Sequence, residues 1–430
     1  MTNKFAMSIE RFLVLGVFVI IPLLVTPFTS ELFEFPKNAW LQISAILIGA
    51  FLLWRKRDKK EFWRKSSLWR AVILLFFMSL ITSLAVSIDI RTSWFGYYGR
   101  FFGGAGSYLA LFVVILALEQ QLKETDIWLN TVIKGIMLSG AMVSLWAVLE
   151  HFGVDQNFWV QDVHSRVFST LGQPNWLAAF LVTITPLCIS CVITKKEKAL
   201  YTSLSLLFYS ALWFTSSLSG LVGLAGAMVV WLAIISRQTL IKNFSWLVIL
   251  GAGAIIVSCL NPGLMGQRLQ RQFRGSITIH AQETDTLPGG DSWEIRKYLW
   301  KGTWRLITSQ PKIFFLGTGP ATFAYSFLPF RPIELNKTSE WDFVYNKAHN
   351  EYLNIWAEQG LLGVICLVMA VIVAIWLTLK IPKPKRTMAA GLLAGWLGLQ
   401  ITNTTGFLVV STAVLFWSYP LLIQTYGKKE

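Results

Sequence analysis

Apolar residues run along this chain in blocks of close to twenty, set apart by short polar stretches. About 20 residues of α-helix cross the hydrocarbon core of a bilayer, and only helices or closed barrels satisfy their own backbone there. The blocks predict about twelve spans, centred on residues 11–29, 38–54, 69–88, 103–118, 129–149, 176–194, 200–216, 218–236, 244–260, 359–379, 387–405 and 408–425. The fourth is short and the last two run together around Asn403 and Gly406, so ten or eleven spans also fit the pattern. The expected fold class is all-α, a polytopic transmembrane helix bundle. Its parts are an N-terminal bundle of about nine spans over 1–260, a long loop over 261–350 with an amphipathic helix near 292–310, and about three spans over 351–430.

Composition excludes a soluble domain: 54% of residues are hydrophobic, 14% are charged and the mean hydropathy is +0.54. Charge then sets the orientation. With the N-terminus taken as cytoplasmic, Arg55-Lys56-Arg57, Lys59-Lys60, Arg64-Lys65, Lys195-Lys196, Lys198, Arg237, Lys242, Lys380, Lys383, Lys385-Arg386 and Lys428-Lys429 all fall on one side. That is the positive-inside pattern, and it puts both termini in the cytoplasm. The net charge of +15 follows from this topology, and with no soluble basic module nucleic acid is not an expected partner.

The other side receives segments 30–37, 89–104, 151–175, 217–220 and 261–350, and with them all four histidines, His151, His164, His280 and His349. The four cysteines lie within spans instead. Cys188 and Cys191 spell C-x-x-C, but without a soluble redox fold they read as small packing residues. The long segment is loosely patterned up to Gly290. From Ser292 it changes: Trp293, Trp300, Trp304 and Ile307 recur at helical spacing, with Lys297, Lys301 and Arg305 as a second stripe. This predicts an amphipathic helix suited to lie in the interface. Arg296 sits between the stripes and can turn either way. Pro311 ends that helix, and Gly317-Thr318-Gly319 reads as a tight turn against the membrane, because no strand and helix flank it as a phosphate cradle requires. No close metal-ligand set and no P-loop appear, so neither metal nor cofactor is expected.

Two stretches carry candidate chemistry. Lys347-Ala348-His349-Asn350-Glu351-Tyr352-Leu353 leads, through Trp356, Glu358 and Gly360-Leu361-Leu362-Gly363, into an apolar span, which predicts His349 on the first turn of a helix at the membrane surface. The positive helix N-terminus and Lys347 both disfavour an imidazolium, leaving a neutral ring that can serve as general base. The alternative is a histidine that merely caps or anchors the helix. The second stretch runs from Ser165-Arg166 through Gln173-Pro174-Asn175, with Pro174 launching the next span. Arg166 offers a planar fork for phosphate, or equally a contact to lipid headgroups.

Ala348-His349-Asn350-Glu351-Tyr352-Leu353 with Glu358, Gly360 and Gly363 resembles the signature of the O-antigen ligase and polymerase superfamily. Arg166 with residues 168–175 is similar to that family's arginine followed by T-F-G-N-P-N. Further matches are Phe35-Pro36-Lys37, Trp94-Phe95-Gly96 with Arg100 and Gly103, and residues 296–304 followed by Pro311 and Gly317-Thr318-Gly319. In order they cover nearly the whole chain.

The resemblance implies a GT-C-like membrane glycosyltransferase of the bacterial inner membrane, with its active site on the extracytoplasmic face. It would pass a glycan from an undecaprenyl diphosphate carrier to a hydroxyl of a glycan, lipid or protein acceptor, inverting the anomeric centre without a metal. By the same resemblance His349 is the base and Arg166 and Arg296 hold the diphosphate; Arg100, Asn350 and Tyr352 join them as substrate-binding candidates. Where members often carry an arginine in a pattern like S-R-x-G, this chain has Ser217-Leu218-Ser219-Gly220. Arg100, Arg271 or Arg274 would then supply the cation, or the leaving group differs. Ligase and polymerase remain open, as does a transporter, although the spans carry mainly scattered Ser, Thr and Asn, with Lys134 the chief ionisable exception and no visible repeat. A membrane scaffold is a further alternative.

Overall fold

The structure is a computed structural model that describes residues 2–54, 68–124, 126–267 and 292–428. The basic clusters at 55–57, 59–60 and 64–65, most of the loosely patterned stretch with His280, Arg271 and Arg274, and Lys429 lie outside the described residues. Among the described residues, regular structure is helical apart from one isolated bridge between Phe102 and Gly104. The first half comprises α1 (Thr2–Val19), α2 (Glu34–Trp54), α3 (Leu68–Ala85), the short α4 (Ile90–Phe95), α5 (Ala105–Glu124), α6 (Asp126–His151) and α7 (Pro174–Thr194). It continues with α8 (Lys198–Phe214), α9 (Leu218–Ile234), the short α10 (Arg237–Lys242) and α11 (Phe244–Leu260). Then come α12 (Ser292–Thr308), α13 (Pro311–Leu316), α14 (Phe323–Ser326), α15 (Glu351–Leu379), α16 (Thr387–Thr402) and α17 (Val410–Lys428).

Six helices, α2, α3, α5, α6, α7 and α15, are long and apolar enough to cross a membrane, and α9, α11 and α16 are apolar but shorter. This is the make-up of a multi-pass membrane protein. The first apolar block is displaced from expectation. Its helix ends at Val19 and gives way to a 3-10 turn, Ile21–Leu23, that contains Pro22, which has no N–H to continue an α-helical ladder.

Helix α7 is the centre of the bundle, buried along most of its length by α8, α9 and α16. Its contact with α16 depends on small residues: a Cβ at Gly395 would overlap the Thr183 carbonyl, so the two backbones approach closely enough for dispersion to act between them. On the other flank α3 lies along α15 and α2 along α5.

Helix α15 is broken at Gly360, where φ is 70° and ψ −168°. The Gly317-Thr318-Gly319 turn fills the break. Thr318 N donates to the Ala357 carbonyl at 3.0 Å, Gly319 N to the Glu358 carbonyl at 3.0 Å, and the Ser83 hydroxyl to that same Glu358 carbonyl. Carbonyls released by the interruption are thus satisfied in a buried setting. A Cβ at Gly317 would strike the Glu358 carbonyl and one at Gly360 the Phe315 carbonyl, and both residues have positive φ, so glycine is needed on each side. The turn expected against the membrane therefore packs against a helix.

Helix α12 forms where expected. Ile295, Leu299, Thr303, Leu306 and Ile307 are buried, whereas Trp293 and Trp304 are 60% and 48% exposed. Branched aliphatic side chains fill the seam against α13 and α15, and the larger rings pair at its flanks, Trp304 with Trp356 at 5.5 Å and Trp293 with Trp300 at 5.6 Å between centroids.

Candidate functional site

At one end of the bundle the polar loops close around a cavity of about 70 Å³. Its wall includes Arg100, Asn175, Trp176, Ser219, His349, and the turn through Asn403, Thr405 and Phe407.

His349 stands just ahead of α15, not in its first turn. Asn350 is the N-cap, its side chain accepting from Leu353 N at 3.1 Å, because a short amide oxygen reaches the third amide of a helix. His349 itself has φ 48°, a left-handed backbone that costs a non-glycine residue roughly 1–3 kcal/mol unless its surroundings fix it. They do. Ala348 N donates to Asn354 Oδ1 at 3.1 Å, Asn354 Nδ2 donates to Glu358 Oε2 at 3.0 Å, and the same carboxylate meets Lys347 Nζ at 3.4 Å. Glu358 also accepts from Phe323 N at 3.3 Å, tying the histidine segment to α14. The imidazole makes edge contacts with Phe407 at 5.5 Å and Tyr345 at 6.4 Å.

Burial first, then the charges of Arg296 and Arg100, bring the His349 pKa down to about 3, so the ring is neutral at physiological pH. The expected direction holds, but the expected causes do not. The helix begins two residues later, and the charge of Lys347 is offset by Glu358.

Three arginines converge on this cavity from separate elements. Arg100, in the loop between α4 and α5, lines it directly and lies over the Trp176 ring, 4.7 Å from the centroid. Burial lowers the Arg100 pKa, opposed by the carboxylates of Glu34 and Glu31. Arg166, from the loop between α6 and α7, donates through Nε to the Thr215 carbonyl at 3.2 Å and through Nη2 to Asn175 Oδ1 at 3.3 Å. Arg296, from α12, donates through Nε to the Thr405 carbonyl at 3.2 Å. Asn175 and Thr405 are both wall residues, so these two guanidiniums abut the cavity from outside its lining.

Buried carboxylates hold the loops that carry these groups. Glu150 accepts from Phe168 N at 2.8 Å and Ser169 N at 2.7 Å, while Lys37 Nζ donates to the Thr170 carbonyl at 2.7 Å. Glu351 accepts from Leu408 N at 3.1 Å, and Glu34 from Val410 N at 2.9 Å. Each of these acceptors pairs a buried backbone amide that would otherwise cost about 1–3 kcal/mol.

Asn350 and Tyr352 each make a structural contact. The Asn350 side chain is engaged in capping, and the Tyr352 hydroxyl donates to the Gln400 carbonyl at 3.0 Å, joining α15 to α16. Leu218 begins α9 and packs against the core, while Ser217 caps that helix and donates to Asn175 Oδ1 at 2.8 Å. Of the wall residues, Gln173 and Asn175 were read only as part of the Arg166 stretch, and Trp176, Ala179, Ser219, Thr402 and the turn at 403–407 were given no role from sequence. The usable signals were the Pro174-Asn175 pair and a polar Asn403-Thr404-Thr405-Gly406 run between two apolar blocks.

A family model described as O-antigen ligase matches residues 203–368. That stretch contains Arg296 and His349, but not Arg100 or Arg166. The chain matches no curated protein. Over residues 203–368 the chain is therefore similar to O-antigen ligases, and its long apolar helices are those of a multi-pass membrane protein.

Proposed function

We propose that this protein transfers a glycan from an undecaprenyl diphosphate carrier to an acceptor hydroxyl at the extracytoplasmic face of the bacterial inner membrane, with both termini cytoplasmic. The observation that carries this reading is a neutral histidine in a cavity flanked by three arginines. In a single displacement the acceptor oxygen attacks the anomeric carbon from the face opposite the diphosphate. The new C–O bond forms as the bond to the phosphate oxygen breaks, inverting the centre. The acceptor proton passes to His349, and the electron pair leaves with the diphosphate.

The charge to be stabilised is on that leaving group, and fixed cations aimed at it contribute most when water is excluded. Arg100, Arg166 and Arg296 supply those cations without a metal ion, and Arg100 takes the role that an arginine at position 218 would otherwise have. A bound diphosphate also offsets the two arginine charges that hold down the His349 pKa, so the ring becomes a stronger base once donor is present. The GT-C type of architecture and a count of about twelve spans belong to this reading.

A polymerase joining lipid-linked repeats would use the same chemistry with a different acceptor. A transporter is less favoured, because Lys134, the chief ionisable residue read in the spans, lies exposed on the surface of α6. Deleting the gene and analysing undecaprenyl-linked glycans tests the proposal. Full-length chains left unattached indicate a ligase, and short unpolymerised repeats a polymerase. Unchanged lipid-linked and attached glycans would overturn it.

A further inference from the structure

A second cavity, of about 170 Å³, lies against the same arginine loop. Its wall includes His151 and Ser165 on the α6 side, Trp213, Phe214 and Ser216 at the end of α8, and Asn261 after α11. The two cavities share a partition. Ser165 faces the second, its neighbour Arg166 reaches Asn175 of the first, and the Ser216 hydroxyl donates to the Ser165 carbonyl at 3.3 Å. Arg166 thus stands where a group bound in one cavity would join a group bound in the other.

The wall chemistry is mixed in a specific way. The His151 ring lies flat on Phe214, with centroids 3.8 Å apart and planes within 8°. Its Nδ1 atom is buried and has no hydrogen-bond partner among the described residues. Trp213 Nε1 donates to the Asn261 carbonyl at 2.6 Å, which fixes the indole as a wall. A hydrocarbon tail would leave the polar atoms unanswered, and an inorganic anion would gain nothing from the rings. A pyranose has apolar C–H faces for the rings and hydroxyl edges for the imidazole nitrogen, serine and asparagine. The second cavity is also the roomier of the two, about 170 Å³ against about 70 Å³ at His349.

We infer that the second cavity binds the sugar of the donor glycan adjoining the diphosphate, with Arg166 at the junction of the two subsites. The inference rests on the diphosphate reading above. It is tested with the purified full chain in detergent by measuring binding of two probes side by side, undecaprenyl diphosphate and the undecaprenyl-linked glycan from cells that make it. His151→Phe keeps a ring on Phe214 and removes both ring nitrogens; Ser165→Trp fills the cavity. The unaltered protein should bind the glycan-bearing lipid more tightly; His151→Phe should lose about tenfold of that affinity, the loss of one or two hydrogen bonds, and Ser165→Trp, which excludes the sugar, about tenfold or more. Both variants should bind the sugar-free lipid as the unaltered protein does. Equal losses for the two lipids, or no loss for either, would overturn the sugar subsite. Failure of the unaltered protein to bind sugar-free undecaprenyl diphosphate would instead overturn the diphosphate reading.

Discussion

Replacing Glu150 with alanine isolates the contribution of a buried carboxylate to a loop that carries a proposed substrate-binding residue. Glu150 is 1% exposed and takes both the Phe168 and Ser169 amides, at 2.8 and 2.7 Å. Each amide left buried without an acceptor costs about 1–3 kcal/mol, so Glu150→Ala should destabilise the fold by about 2–6 kcal/mol. Ser169 also sits at φ 51°, a conformation that the lost bonds would no longer hold. Arg166 lies two residues before the first of these amides, and a shift of about 1 Å in a positioning group can cost about 100-fold in rate. Both bonds go to a single oxygen, so Glu150→Gln retains an acceptor for them and should stay near wild type. Thermal unfolding in detergent and glycan transfer in cells, compared across the two variants, provide the assay. An alanine variant with unchanged stability and transfer would refute the argument that this carboxylate holds the loop.

Four further outcomes are expected. In the free enzyme the His349 pKa lies near 3, so kcat/KM should show no acid limb from this residue between about pH 5.5 and 7.5; Arg100→Gln removes one depressing charge and should move that limb upward, and an unmoved limb would count against the contact. Because the folded pKa is lowered, the unfolded chain takes up this proton first, and the His349 contribution to stability, complete above about pH 6.5, should be lost as pH falls towards about 3. Arg296→Lys should lose activity, since an ammonium cannot reproduce the guanidinium fork, whereas Lys297→Arg should be tolerated; similar tolerance at both positions would return Arg296 to a membrane-anchoring role. A cysteine engineered at Ser276 should react with an impermeant reagent in intact cells, and labelling only after lysis would reverse the proposed orientation.

The apolar blocks located most of the long helices because span length is a direct consequence of bilayer thickness and is written in uninterrupted stretches of sequence. What they missed depends on single residues whose partners are far away in the chain. Pro22 moved the first helix towards the N-terminus, and the break at Gly360 depends on amides from Thr318 and Gly319 that no local pattern reveals. In α12 periodicity located the helix, but of the residues that fill its seam, Ile295, Leu299, Leu306 and Ile307, only Ile307 lay in the stripe read from sequence. At the site, His349, Arg100, Arg166 and Arg296 were identifiable from residue type and flanking motif. Their convergence was not, since it is produced by Asn175, Ser217 and the turn at 403–407, whose side chains are ordinary in isolation. The cause of the histidine's neutrality was likewise hidden, because Arg100 and Arg296 lie far from it in sequence.

The most direct test of the account is glycan transfer by a His349→Ala protein at matched expression and membrane insertion. If His349 removes the acceptor proton as the bond forms, its loss should lower transfer by about 100- to 10,000-fold, the usual worth of a general base, with undecaprenyl-linked donor accumulating. The imidazole lies against the Phe407 and Tyr345 rings, and the loop around it is held by Asn350, Asn354 and Glu358, so the protein itself should persist. Near-normal transfer by that variant would contradict the mechanism.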